Sequence, residues 1–296
     1  MQTNRPRGKR SKECIFLVGE KLSVEDSEWS VQALDPPSSL QEPLPEITQR
    51  HASQLVALNG LAYVIGGEVH SELSTSVMEF NPKTGRWRQF ASNLLACWDH
   101  AAAGSGCGIV SCGGWKYNSA IAFAELFLPA KNRWFRLPDM LNARSAHRVV
   151  AHEEDGRIFV TGGEDEFGYD MDLVECCTLP IGTSAETTES HSFLTWHRAA
   201  PMNQARHYHA LAYAKGKIVA VGVLVNRLLP TQTVEVFSPP DRGNPLGQWT
   251  FVRPLDVPYE YPFAVVVDGY FFVFREFLFL DLACVLAVIS LINVTI

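Results

Sequence analysis

The sequence is poor in the features that mark most enzymes and nucleic-acid binders. Charged residues make up only 19% of the 296 residues. Five of the bases sit in the opening "MQTNRPRGKRSK", so residues 13–296 hold 20 basic against 32 acidic residues. An acidic body excludes nucleic acid as the main partner, because phosphate contacts need clustered Lys and Arg. The seven cysteines are odd in number and form no CxxC pair, which argues against a disulfide framework or a structural zinc site. With no apolar secretory leader at the start, this reads as a reduced, cytoplasmic protein. No segment of the first 276 residues combines a sustained 3.6-residue period with helix caps, so an α-helical fold is excluded. No glycine-rich phosphate loop opens a helix. No constellation of nucleophile, base and orienting group stands at a recognisable spacing, and the chain does not read as an enzyme. "HYH" places His207 and His209 on one strand face, but spacing supplies no third ligand, so neither a metal nor a cofactor is expected.

What is abundant is repetition. Gly66-Gly67, Gly113-Gly114 and Gly162-Gly163 each follow a short β-rich run: "LAYVI", "GIVSC" and "RIFVT". Weaker copies start at Gly19, Gly222 and Arg275, giving intervals of 47, 47, 49, 60 and 53 residues. A second marker precedes each pair. Met140, Arg144 and His147 share a register with Met202, Arg206 and His209. Arg50, Cys97 and Tyr259 occupy the arginine position in the other copies. Downstream, alternating runs ("VMEFNP", "AELFLP", "VECCTLP", "VEVFSPP") lead to Trp87, Trp134, Trp196 and Trp249, each ten residues before the next arginine position. The first copy matches at "VQALDP" and has lost its tryptophan, which leaves Trp29 in the loop before the third strand.

Each copy holds four short strand-like runs divided by turn residues in roughly 50 positions, the signature of a propeller blade. A side chain at the glycine pair would block a close backbone approach. The tryptophan supplies a large buried area between blades.

Glycine pair, spaced tryptophan and the Met-x-x-x-Arg-x-x-His marker together resemble the kelch repeat, over residues 13–276. The opening "RPRGKRSKECIFLVG" resembles the junction at which BTB-BACK-kelch proteins begin their first blade. The resemblance implies an all-β kelch β-propeller of six blades. Expected blades are 13–47, 48–94, 95–141, 142–203, 204–256 and 257–276, behind a basic linker at 1–12. About five blades are full or nearly so. The sixth is expected to stop after two strands, leaving the ring incomplete, and the apolar tail 277–296 reads as a truncated or read-through end. The alternative for the tail is a membrane anchor: sixteen of its twenty residues are apolar, though Asp281 lies five residues in.

The family binds partners through the loops after the second strand and before the first. Mapped by register, these give Arg50, Trp98, Asp99, Arg144, Ser145, Arg206 and Tyr259 from one set, and His70, Tyr117, Asn118, Phe167 and Tyr169 from the other. Three arginines at one rim would suit an acidic peptide. The resemblance implies a protein-interaction module like the substrate-recognition part of a cullin-RING ubiquitin ligase adaptor, with the cullin engaged only if a BTB region accompanies it. An actin-binding cytoskeletal protein is the alternative reading.

Overall fold

The computed structural model describes residues 15–22, 27–35, 38–43, 50, 52–81, 84–106, 108–152, 155–179, 195–222, 224–225, 229–259, 262–267, 270–274 and 290–292. Strand follows strand throughout, and every sheet is antiparallel with sequence neighbours paired.

The first sheet has three strands, β1 (Ile15–Leu22), β2 (Ser27–Asp35) and β3 (Ser38–Pro43). Trp29 lies within β2, opposite Glu20, and not in a loop as expected: pairing with β1 carries the strand four residues upstream of "VQALD".

The second sheet orders β4 (Gln54–Leu58), β5 (Leu61–Ile65), β8 (Val77–Asn81) and β9 (Arg86–Phe90). A small hairpin, β6 (Glu68–Val69) with β7 (Glu72–Leu73), fills the connection after β5. The third repeats the plan with β10 (Ala101–Ser105), β11 (Gly108–Cys112), β14 (Ala124–Leu128) and β15 (Arg133–Arg136), and a hairpin of β12 (Trp115–Lys116) and β13 (Ser119–Ala120). The fourth is β16 (Arg148–His152), β17 (Arg157–Thr161), β18 (Val174–Thr178) and β19 (His197–Ala199). The fifth is β20 (Ala210–Ala214), β21 (Lys217–Val221), β24 (Val234–Ser238) and β25 (Gln248–Phe251), with a hairpin of β22 (Leu224–Val225) and β23 (Leu229–Pro230).

The sixth sheet corrects an expectation. It holds β26 (Phe263–Val267), β27 (Tyr270–Phe274) and a third strand, β28 (Ser290–Ile292), which pairs with Phe271–Val273. The repeat pattern ends at residue 276, yet Ser290–Ile292 adds a strand to this sheet. A β-prone apolar segment satisfies the open edge of β27 without carrying the repeat's markers. The rest of the tail lies outside the described residues. Among those described, no helix is long and apolar enough to cross a membrane.

The leading strands β4, β10, β16, β20 and β26 pack side by side in chain order. The core therefore lies between sheets, one layer per junction. Phe90 of the second sheet meets Ile109, Phe127 and Trp134 of the third. Cys112, Leu126 and Met140 of the third meet Ile158, Cys177 and Trp196 of the fourth. Phe159 and Met202 meet Phe237 and Trp249, and Val219 and Tyr259 meet Phe271 and Val273. Ile109 and Val110 thus serve opposite junctions, which is why "GIVSC" is a continuous apolar run and not an alternating one: all five of its residues are buried.

Candidate functional site

The repeat's polar markers fold inward. Arg144, with no exposed surface, donates from Nη1 to the carbonyls of Gly162 at 2.8 Å and Leu173 at 3.0 Å, and from Nη2 to Glu175 at 2.5 Å. Arg206 repeats this with Gly222, Thr233 and Glu235, the last at 2.8 Å. Arg50 donates to Gly66 and Ser76. Each guanidinium closes the opening between the second and third strands of its own sheet. Burial pulls the Arg144 and Arg206 guanidinium groups below their ordinary pKa, and the glutamate beside each pulls it back.

The glutamates displayed in "AELF", "VECC" and "VEVF" are a further member of the pattern. Glu125, Glu175 and Glu235 accept hydrogen bonds from the backbone N–H of Leu94, Leu141 and Asn203, tying the third strand to the segment leading into its own sheet. In the third sheet Cys97 replaces the arginine, so Glu125 is buried without that cation. Burial pushes its carboxyl up to about 7, against the opposing hydrogen bonds from Leu94 and Asn93.

The tryptophans join sheets. The indole N–H of Trp134 donates to Ala91 O, that of Trp196 to Pro138 O and that of Trp249 to Ala200 O, all within 3.0 Å and always to the chain leaving the previous sheet. Trp134 and Trp249 also stack on Phe127 and Phe237, where the fourth sheet has Cys177. Trp87 is half-buried and tilts against Phe80. The marker histidines pack on the preceding glycine pair. A Cβ on Gly113 would meet His147 Cε1 at 2.2 Å, and one on Gly162 would lie 2.2 Å from Arg206 O and 3.1 Å from His209 Cε1. Desolvation lowers the pKa of His100 to about 4 and takes His147 and His209 well below their ordinary value, so these rings are neutral spacers. Two positions after each arginine site, Ala52, Asp99, Ala146 and Tyr208 all take left-handed backbone. Their amides run from sheet to sheet: Tyr208 N–H donates to Ala146 O and Ala146 N–H to Asp99 O.

These placements divide the expected partner residues. Arg50, Arg144, Ser145, Arg206 and Tyr259 are buried. Their side chains belong to the blades, and the argument from three rim arginines to an acidic peptide fails on that burial. Trp98, Asp99, His70, Tyr117, Asn118, Phe167 and Tyr169 keep accessible surface. Tyr117 is 84% exposed, Phe167 76% and Tyr169 71%, values far outside what a core role requires. The loops that bear them lie at one end of the sheets, where paired backbone bridges join Trp98 to Trp115 and Ser145 to Glu164. Trp98 is held by an indole bond to Glu68 at 2.9 Å. Asp165 Oδ1 accepts the amides of Phe167 and Tyr169, each at 2.9 Å, and fixes the turn between them.

At the same end, His207 Nδ1 lies 2.7 Å from Asp170 Oδ1 and its Nε2 lies 3.9 Å from Glu164 Oε1. The contact links the loop of the fourth sheet to the segment before β20. Spacing alone could not place Glu164 and Asp170 beside His207, since 37 positions separate Asp170 from it. Among the described residues this trio has ligand-type atoms within 4.8 Å of one another, the span a divalent cation needs.

The family model for the kelch motif matches residues 49–94, the segment that carries Arg50, the Gly66-Gly67 pair and Trp87. That segment is similar to a kelch repeat. Beta-scruin of Limulus polyphemus is 32% identical to the chain over 100 residues, a stretch covering 31% of the chain and 11% of beta-scruin. The kelch sheets also align with the structure of YjhT, at a TM-score of 0.67 over 87% of this chain and 89% of that one. Identity there is 12%, so the likeness is one of fold.

Proposed function

We propose that this chain recognises a target protein through the loop end that carries Tyr117, Phe167 and Tyr169, and that it serves as the substrate-recognition part of a ubiquitin ligase adaptor. The observation that carries the reading is the contrast between the two register sets. The markers that hold the blades are buried, while three large aromatic rings stand exposed on tied-down loops of two successive sheets. Aromatic anchors on a rigid frame are the usual centre of a protein interface. The adaptor part of the proposal rests on the likeness of the opening segment to the BTB-BACK-kelch junction, and the cullin would be engaged by such a region outside this chain.

Affinity purification from cells of the chain, and of its Tyr117→Ala/Phe167→Ala/Tyr169→Ala variant, tests the target claim. One set of proteins should be retained by the first and lost from the second, and stabilised when a cullin-RING inhibitor is added. Retention of the same set by both would refute this binding face. Loss of that set without any change in its turnover under the inhibitor would leave a binding module outside the ligase pathway. Cosedimentation with actin filaments tests the cytoskeletal reading directly.

A further inference from the structure

The charge of this end fits a cationic partner. The loops after β5 and β17 present Glu68 and Glu72 on one side and Glu166 and Asp172 on the other, all exposed or half-buried. Across the three loops after β5, β11 and β17, the basic side chain among the described residues is Lys116, and its ammonium already sits 5.1 Å from the Tyr117 ring centroid. The register arginines that would have balanced these carboxylates are turned into their own sheets. A partner approaching this end therefore meets carboxylates and ring faces. Arg227, on the equivalent loop of the fifth sheet, lies outside the described residues.

We infer that the segment recognised here is a Lys- or Arg-bearing peptide, docked with its cations between the carboxylates and over the rings of Phe167 and Tyr169. The inference rests on the binding face proposed above and names its ligand chemistry. An acidic segment would bring like charges together and lose affinity. A basic one gains ion pairs at the rim and cation–π contacts on the rings. The turn held by Asp165 keeps both rings outward before any partner arrives, so little ordering cost remains on binding. The same carboxylates disfavour the phosphate backbone of nucleic acid.

Fluorescence anisotropy tests this with two labelled dodecapeptides of the same sequence except that four arginines in one are glutamates in the other. The arginine peptide should bind, and binding should weaken at least tenfold in the Phe167→Ala/Tyr169→Ala variant, which changes no charge. Glu72→Gln/Glu166→Gln should weaken it further and reduce its sensitivity to salt. Preferential binding of the glutamate peptide, lost in the aromatic variant, would overturn the charge assignment and keep the face. Arginine-peptide binding that is indifferent to the aromatic variant would be diffuse attraction to an acidic protein and would overturn the face itself. Failure of both peptides to bind a folded protein would overturn the peptide chemistry, with the affinity purification above deciding whether the face survives.

Discussion

At the scale of the residue, the protein shows one amino-acid pattern serving opposite ends. The histidines and Glu125 make its stability depend on pH in two directions. His100 takes its proton near pH 6.5 when unfolded and near pH 4 when folded, so stability is lost as pH falls below 6.5, by about 3 kcal/mol from this ring once both states are protonated. His147 and His209 act in the same sense. Glu125 runs the other way. Its folded pKa of about 7 exceeds the ordinary 4.5, so the folded state holds the proton more tightly and stability declines as pH rises from 4.5 towards 7. Urea titrations from pH 4 to 8 should show an acid-side loss and a shallower decline approaching neutrality, and Glu125→Gln should remove the second limb alone. An unchanged pH profile in that variant would mean that Glu125 is ionised in the folded protein across the range. For the tryptophans, Trp196→Phe should destabilise by about 1–3 kcal/mol, because it leaves a half-buried carbonyl at Pro138 without its donor and opens space beside Cys177. Thermal unfolding measures it, and a neutral result would mean the indole bond is replaced by water.

At the scale of the element, the glycine pairs discriminate most sharply between required and merely tolerated positions. Gly113 has φ +65°, and an added Cβ would sit 2.7 Å from Arg144 O as well as against His147. Gly60, with φ +74° in a β-hairpin, has nothing within 4 Å. Gly113→Ala should therefore abolish soluble folding or lower the unfolding midpoint steeply, while Gly60→Ala should cost only about 1 kcal/mol. Equal effects would mean that the blade junction yields to a methyl group. The sheets were legible in the sequence because their causes are local: runs of β-branched and aromatic residues, turn residues and a register that insertions do not disturb. Glu125, Glu175 and Glu235 are equally visible in the sequence, but their burial is not, since a lone glutamate in an alternating strand looks like a solvent-facing position. The third strand of the sixth sheet was not legible, because β28 is supplied by a segment with none of the repeat's markers and owes its place to an open neighbouring edge. Trp29 shows the same limit, its strand being extended by its pairing partner and not by its own sequence.

At the scale of the whole molecule, the sheets stack through their cores and leave large aromatic side chains exposed at one looped end. Register assigns residues to these loops but cannot say which way a side chain turns. Arg144 and Tyr169 come from matched loop sets, yet one has no exposed surface and the other is 71% exposed. The difference is energetic. A guanidinium beside two strand-end carbonyls and a buried glutamate is worth more inside the blade than at its rim, and once inside it leaves the rim acidic. The most direct test of this division is the urea unfolding free energy of Arg206→Met set beside that of Tyr117→Ala/Phe167→Ala/Tyr169→Ala. The arginine variant should lose about 3–5 kcal/mol, since Glu235 is left buried without its cation, while the aromatic variant should stay within about 0.5 kcal/mol of the parent protein. An arginine variant of unchanged stability would contradict the account and return that arginine to the partner surface.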